Sequence, residues 1–434
     1  MIPRSTLFVA VALLTALAVV AALFPSAAVV WVAASAVGAV IAVVDALSAF
    51  GRPPPEIARS LPGSMSLAVW SRVRIVVRNV SPRAVELVLY DLHPAGFASR
   101  GLPASVGIPA GRFVDIEYEL KPTSRGLFRF DGIDLRQASP LGLWWRRIRL
   151  PLVDSVRVYP NYSTIRKLLA YEVENHLKLA GVRMSRRRGE GIEFHQLRDY
   201  RDGDSLRAID WKATSRMTRL IAREYQDERD QQVVFLLDAG RRMLARDAEL
   251  SHFDHALNAM LLMAYVALRQ GDAVGVMTVG DTRRWLPPRK GMAAVNGILN
   301  HVYDVNPAAV EIDYVGAATE LAVRQRRRSL IVFLSNVREE DSEDLGLATK
   351  LLNRRHLVML ASLRERVLDE QLERPVSGLE SAVAYAATSR YLAERSEAQT
   401  LLRARGVFVD DCLSDELPAA ITSRYFAIKR AGLL

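Results

Sequence analysis

Cysteine is almost absent: Cys412 stands alone among 434 residues. One thiol excludes any disulfide within the chain. It fits a reducing compartment better than a secreted scaffold. No glycine-rich loop is followed by Lys-Ser or Lys-Thr, so nucleotide hydrolysis by a P-loop is not expected. A Gly-x-Ser-x-Gly nucleophile elbow is also missing, and Cys412 has no obvious histidine partner. Of the seven histidines, His252 and His255 lie three apart at a predicted helix start. We read them as a solvated helix terminus rather than a zinc site. Charge is missing from one long stretch: residues 5–50 carry a single ionisable side chain, Asp45.

What is present starts with that stretch. Two apolar runs, STLFVAVALLTALAVVAALF and AAVVWVAASAVGAVIAVVDALSAF, are separated by Pro25 and Ser26. Each is close to the ~20 residues that cross a hydrocarbon core. A cleaved signal would not need the second run, so residues 1–50 read as a transmembrane helical hairpin. Arg4 and Arg52 flank it while the turn is uncharged. The positive-inside rule then places both ends in the cytoplasm, with a multi-pass protein in the cell inner (plasma) membrane. Asp45, near the end of the second helix, is expected to be hydrated and is assigned no function.

Half of the residues are hydrophobic, so a sizeable core is possible. The formal net charge is +10. Its bases are dispersed among acids, which argues against a nucleic-acid interface and suits a protein beside an anionic membrane. Residues 51–62 read as a stiff proline-rich linker holding the soluble part away from the bilayer. Residues 63–160 alternate apolar and polar, as at Val73, Ile75 and Val77, with turn signals between runs. They predict a small β-sandwich, immunoglobulin-like, of five to seven strands. Trp144 and Trp145 are expected to be one core tryptophan and one partly covered neighbour. Residues 161–188 predict an amphipathic connector helix through Ile165, Leu168, Leu169, Val173 and Leu177, ending in the basic run Arg186 to Arg188.

Residues 189–230 are dense in both signs of charge, with sparse aromatics: Phe194, Tyr200, Trp211 and Tyr225. Buried ions need partners, so the segment reads as ion-paired and ordered. Arg198 pairs with Asp199 in this reading. Asp204, Arg207 and Asp210 share a helix face, and Trp211 covers them. These residues are the candidate partner-binding set: Arg198, Asp204, Arg207, Asp210 and Trp211. Residues 231–434 alternate apolar runs (VVFLLD, AVGVMTV, SLIVFLS, LVMLASL) with helical patterns. A doubly wound α/β domain with a parallel sheet is predicted, with ligands expected at the carboxyl ends of its strands, where Asp238 stands.

The run GEGIEFHQLRDYRDGDSLRAIDWKATSRM, followed by a strand ending in aspartate, closely resembles the signature of the bacterial "domain of unknown function 58" family. The resemblance implies a C-terminal von Willebrand factor A-like (vWA-like) domain and a MoxR-type AAA+ ATPase as partner. The metal site of vWA domains uses Asp-x-Ser-x-Ser, whereas this chain has Asp238-Ala239-Gly240-Arg241-Arg242. Both serines are missing, Arg242 brings positive charge, and Ser335 and Asn336 stand where a second aspartate is often found. A degenerate site at Asp238 is therefore expected to hold no Mg²⁺, and no cofactor is predicted. The expectation is a membrane-anchored, non-enzymatic protein-binding scaffold acting in assembly or maturation of envelope or other protein complexes. The alternative is a divalent-cation-dependent adhesion-like module or a hydrolase using the acidic signature.

Overall fold

In the computed structural model, residues 1–161, 193–201, 209–226 and 231–434 are described. The connector helix, Arg186 to Arg188, Asp204 and Arg207 lie outside the described residues. The chain divides into two compact units, Met1–Tyr159 and Pro160–Leu434.

The first unit opens with β1 (Ile2–Pro3), α1 (Ser5–Leu23) and α2 (Ala28–Phe50). Both helices are long and apolar enough to cross a membrane. Eleven short strands follow: β2 (Glu56–Ser60), β3 (Ser64–Ser66), β4 (Ser71–Arg78), β5 (Val85–Asp91), β6 (Phe97–Arg100), β7 (Ala104–Ile108), β8 (Phe113–Pro122), β9 (Gly126–Phe130), β10 (Ile133–Ala138), β11 (Trp144–Leu150) and β12 (Asp154–Tyr159). They form sheets in the orders β1-β11-β10-β5-β7, β2-β4-β8-β6 and β3-β12-β9. The period-two pattern does what it should: Val73, Ile75 and Val77 are buried on β4, as are Leu87 and Leu89 on β5 and Leu135 on β10. Polar groups tie the sheets together. The buried Arg59 of β2 holds Asp91 of β5 at 2.6 Å and Asp154 of β12 at 2.9 Å. The Tyr118 hydroxyl of β8 donates to the same Asp91.

Three expectations are corrected here. The proline-rich stretch is not only a spacer, because Glu56–Ser60 pairs with β4 along its length. Its three prolines stop just before the strand, and Arg59 has buried partners to reach. Asp45 is not hydrated: it is 1% exposed. Its carboxylate accepts from the Ser139 hydroxyl at 2.5 Å and from the N–H groups of Leu141 and Leu143 at 2.8 and 3.2 Å. Neither Trp144 nor Trp145 is a buried core residue. Trp144 Nε1 donates to the Ala42 carbonyl of α2 at 3.0 Å, and the Arg4 guanidinium lies over Trp145. The helical hairpin and the β10–β11 turn are thus built on each other.

The second unit has β13 (Glu193–Asp199), α3 (Trp211–Met217) and β14 (Ile221–Gln226), followed by β15 (Gln232–Asp238), β16 (Arg246–Asp247) and β17 (Leu250–Ser251). Then come α4 (His252–Arg269), β18 (Ala273–Val279), β19 (Arg284–Arg289), α5 (Ala293–Val302), α6 (Tyr314–Arg324) and β20 (Leu330–Ser335). The chain continues through α7 (Ser342–Asn353), β21 (Leu357–Arg364), α8 (Arg366–Glu373), α9 (Leu379–Ala404), β22 (Phe408–Leu413) and α10 (Leu417–Arg430). The sheet order is β19-β18-β15-β20-β21-β22. Five strands are parallel, and β19 pairs with β18 antiparallel. The sheet is therefore not wholly parallel as expected. Pro287 and Pro288 lack ladder donors and sit in this edge strand.

The apolar runs are buried on both faces. Val233, Phe235 and Leu237 of β15 pack with α4, α5 and α10, while Val234 and Leu236 pack with α6 and α7. Ser251 caps α4 through a reciprocal pair with Asp254, as its place before the helical pattern suggests.

Candidate functional site

Strand order reverses at β15, whose neighbours are β18 and β20. In open α/β sheets the crevice at such a switch point, outside the carboxyl ends of the strands, is where ligands bind. Asp238 ends β15 and Ser335 ends β20. The Asp238 carboxylate is 1% exposed. It accepts from the Gly240 N–H at 2.7 Å, from the Ser335 hydroxyl at 2.5 Å, and from the Tyr314 hydroxyl at 3.3 Å. Tyr314 and Ser335 are themselves 2.9 Å apart. Burial pushes the Asp238 carboxyl above the usual carboxylate range, against the pull of Ser335, the Gly240 N–H and Tyr314. Burial likewise raises the Tyr314 hydroxyl, so it stays protonated and able to donate.

The backbone here is fitted closely. A Cβ at Gly240 would lie 2.7 Å from Ile312 and 2.9 Å from the Val310 carbonyl, which only glycine avoids. Arg242 turns to Glu340 and Asp341. Asp313 caps α6 through the Gly316 N–H at 2.7 Å and pairs with Arg283. A hard divalent cation wants about six oxygen ligands. One carboxylate already served by three donors, with a guanidinium nearby, does not fit that cation.

Beside this cradle lies a buried cation that sequence reading missed. Arg395 of α9 is 2% exposed. It donates to Asp411 at 2.7 Å, Asn336 at 3.0 Å, Ser362 at 2.7 Å and the Leu363 carbonyl at 2.7 Å. Asn336 follows the end of β20, and Ser362, Leu363 and Asp411 lie near the carboxyl ends of β21 and β22. Within an Arg-rich helical pattern nothing marked Arg395 as internal. Tyr314 was missed for a similar reason, since its helix was not anticipated. Both strand-end clusters fill with the chain's own side chains the space where a ligand would be sought.

The signature forms a two-stranded antiparallel pair, β13 with β14, running from Glu193↔Gln226 to Asp199↔Ile221. Asp210 is an N-cap: its carboxylate accepts from the Ala213 N–H at 3.0 Å, as a short polar side chain before a helix should. Arg198 donates to the Asp199 carbonyl, while the Asp199 carboxylate goes to Arg219 at 3.2 Å. The expected Arg198–Asp199 side-chain pair is replaced by one with Arg219, because the strand pairing brings residues 199 and 219 together. Trp211 is 68% exposed on the first turn of α3. Of the candidate set, the structure thus places Arg198, Asp210 and Trp211 on one β–α–β segment. Asp204 and Arg207 fall outside the described residues.

His252 is another correction. It is fully buried, with Nε2 3.2 Å from Asp247, and burial lowers its basicity. The Ser251 cap and the Asp247 partner draw it inward, away from the solvated terminus expected. No group of three or more metal-binding side chains occurs among the described residues. Cys412 is buried, and burial pushes its thiol up to about 12, which makes it unreactive.

Residues 196–400 match the family model described as "Protein of unknown function DUF58". This stretch, just under half of the chain, is similar to DUF58 proteins. A curated relative, "Uncharacterized protein YeaD" from Bacillus subtilis (strain 168), is 25% identical over 197 residues, covering 44% of this chain and 46% of the relative. The chain therefore aligns with less than half of that relative's length. Among solved structures, a FixG-related protein from Vibrio parahaemolyticus matches 24% of this chain and 97% of its own at 10% identity and a TM-score of 0.19. The ASH / PapD-like domain of human CEP192 (PapD-like domain 7) matches 25% of this chain and 87% of its own, at 14% identity and the same score of 0.19. The matched region contains Trp211, the Asp238 cradle and Arg395. It does not contain Asp411 or the Asp45 clasp.

Proposed function

We propose that this chain is a membrane-anchored, non-enzymatic protein-binding scaffold, and that its DUF58 region acts through a metal-independent vWA-like domain. The observation that carries this reading is the Asp238 cradle: the switch-point crevice is closed by Ser335, Tyr314 and Gly240. Ser335 and Asp238 are the hydroxyl and carboxylate that could pair as nucleophile and base, but each is only 1% exposed, which keeps a substrate from them. The strand order with one antiparallel edge supports the vWA-like reading. The sheets of the first unit, joined through Arg59, Asp91 and Tyr118, support an immunoglobulin-like sandwich. Both ends of the helical hairpin reach the same β10–β11 turn, which supports a cytoplasmic placement of both flanks.

The partner is a MoxR-type AAA+ ATPase, as the family resemblance implies, in assembly or maturation of envelope or other protein complexes. The exposed Trp211 beside the charged β13–β14 pair supplies the aromatic and basic character that protein interfaces favour. Affinity purification from native membranes, beside an Asp204→Ala/Arg207→Ala/Trp211→Ala variant shown to melt cooperatively, tests this. An AAA+ ATPase retained by the parent and lost from the variant is the expected result. An equal yield from both would move the docking surface elsewhere. No ATPase in either would sink the partnership.

A further inference from the structure

The tip of the β10–β11 hairpin, residues 139–143, is wedged between the start of α1 and the last turns of α2. The Arg4 N–H donates to the Leu143 carbonyl at 3.0 Å, and the Thr6 hydroxyl donates to the Gly142 carbonyl. From α2, Asp45 takes the Leu141 and Leu143 N–H groups. Arg146 closes the helix end by donating to the carbonyls of Ala49 at 3.0 Å and Arg52 at 2.7 Å. The tip therefore sits level with the points where both apolar helices end. At that level Leu141 is 62% exposed. Trp145 is half-buried under Arg4. Exposed leucine and half-covered tryptophan are what the boundary between acyl chains and headgroups favours.

From the tip, the outer face of β10–β11 collects cations. Arg136 stands directly opposite Arg147, and Asp134 opposite Arg149. Like charges facing each other across strands destabilise a sheet. Asp134 relieves only Arg147, at 2.7 Å. Arg136 and Arg149 are exposed, and no side-chain partner is recorded for either among the described residues. A surface that gathers guanidinium groups and leaves them uncommitted suits an array of anions. The planar fork of arginine matches phosphate oxygens.

We propose that the outer face of the β10–β11 hairpin rests on the bilayer surface and binds anionic phospholipid headgroups through Arg136 and Arg149, with Leu141 and Trp145 at the acyl boundary. This rests on α1 and α2 spanning the membrane. Each arginine beside an anionic leaflet is worth about fivefold in local lipid preference.

The test uses the full chain in bilayers of phosphatidylcholine and phosphatidylglycerol, with a bimane fluorophore on Leu141→Cys; the buried Cys412 does not compete for the label. Brominated chains are placed on one lipid or the other. Quenching by both lipids is expected, several-fold stronger from the brominated phosphatidylglycerol. Arg136→Gln/Arg149→Gln should equalise the two while leaving quenching in place, and added salt should do the same. Equal quenching from both lipids in the parent overturns the headgroup site. Absence of quenching overturns the seated tip. If the protein resists alkaline extraction in either case, the spanning helices stand and only this proposal falls. Release by alkali removes both readings.

Discussion

Two buried carboxylates, one in each unit, invite comparison. Asp45 and Asp238 are each 1% exposed, and each accepts from one serine hydroxyl and at least one backbone N–H. Their surroundings differ. Two of the three donors to Asp45 are amides fixed in the 139–143 turn, so the clasp is rigid and joins a helix to a sheet. Two of the three donors to Asp238 are hydroxyls on separate elements, α6 and β20. The first carboxylate holds the fold together across a span of some 94 to 98 residues. The second fills a place where the fold could have held a ligand. A buried acid is therefore read from its donors: amides indicate a structural clasp, and rotatable hydroxyls indicate a site closed from within.

The largest expected effect comes from Asp45→Ala. It leaves the Ser139 hydroxyl and two amides without an acceptor in a dry turn, a loss on the order of 3 kcal/mol. Thermal melts in detergent should show the first unit unfolding earlier, with the second unit unchanged. Asp238→Ala removes the acceptor for two hydroxyls and one amide in a place partly open to rearrangement. A smaller loss, roughly 2 kcal/mol, is expected from denaturant titration of the second unit.

The pH dependence sharpens the contrast. Burial raises the Asp238 carboxyl in the folded state, so the folded chain binds its proton more tightly than the unfolded chain. That contribution is fully present below the unfolded value and is lost as pH rises through the folded one. The second unit of the parent should therefore lose stability as pH climbs above the ordinary carboxylate range. Asp238→Asn should flatten that part of the profile; an unchanged slope would assign it to another group. The smallest effect is expected from Tyr314→Phe, which removes one hydroxyl and keeps the ring. About 1 kcal/mol should be lost in equilibrium unfolding, with partner capture unaffected.

Elements that announce themselves by local pattern were legible in the sequence. Alternation at Val73, Ile75 and Val77 marked a strand, the apolar runs before Asp238 and Ser335 marked central strands, and Ser251 marked a helix start. The structures hidden from sequence rest on long-range pairing. Glu56–Ser60 was masked by its three neighbouring prolines and is defined by the partners of Arg59. Arg395 lies in a helix rich in charge, and only the fold shows that Asn336, Ser362 and Asp411 converge on it. Of the candidate site, the poverty of the Asp238 loop in metal ligands was readable from residues 238–242. That Tyr314 and Ser335 complete the cradle was not, because their separation of 21 residues carries no periodic signal.

The central claim is that the strand-end crevice is closed by the protein itself and works without a metal. Calorimetric titration of the full chain with Mn²⁺, beside Asp238→Ala, tests it most directly. No heat beyond dilution in either protein is the result this account predicts. Saturable binding to the parent that disappears in Asp238→Ala would contradict it and return the crevice to cation chemistry.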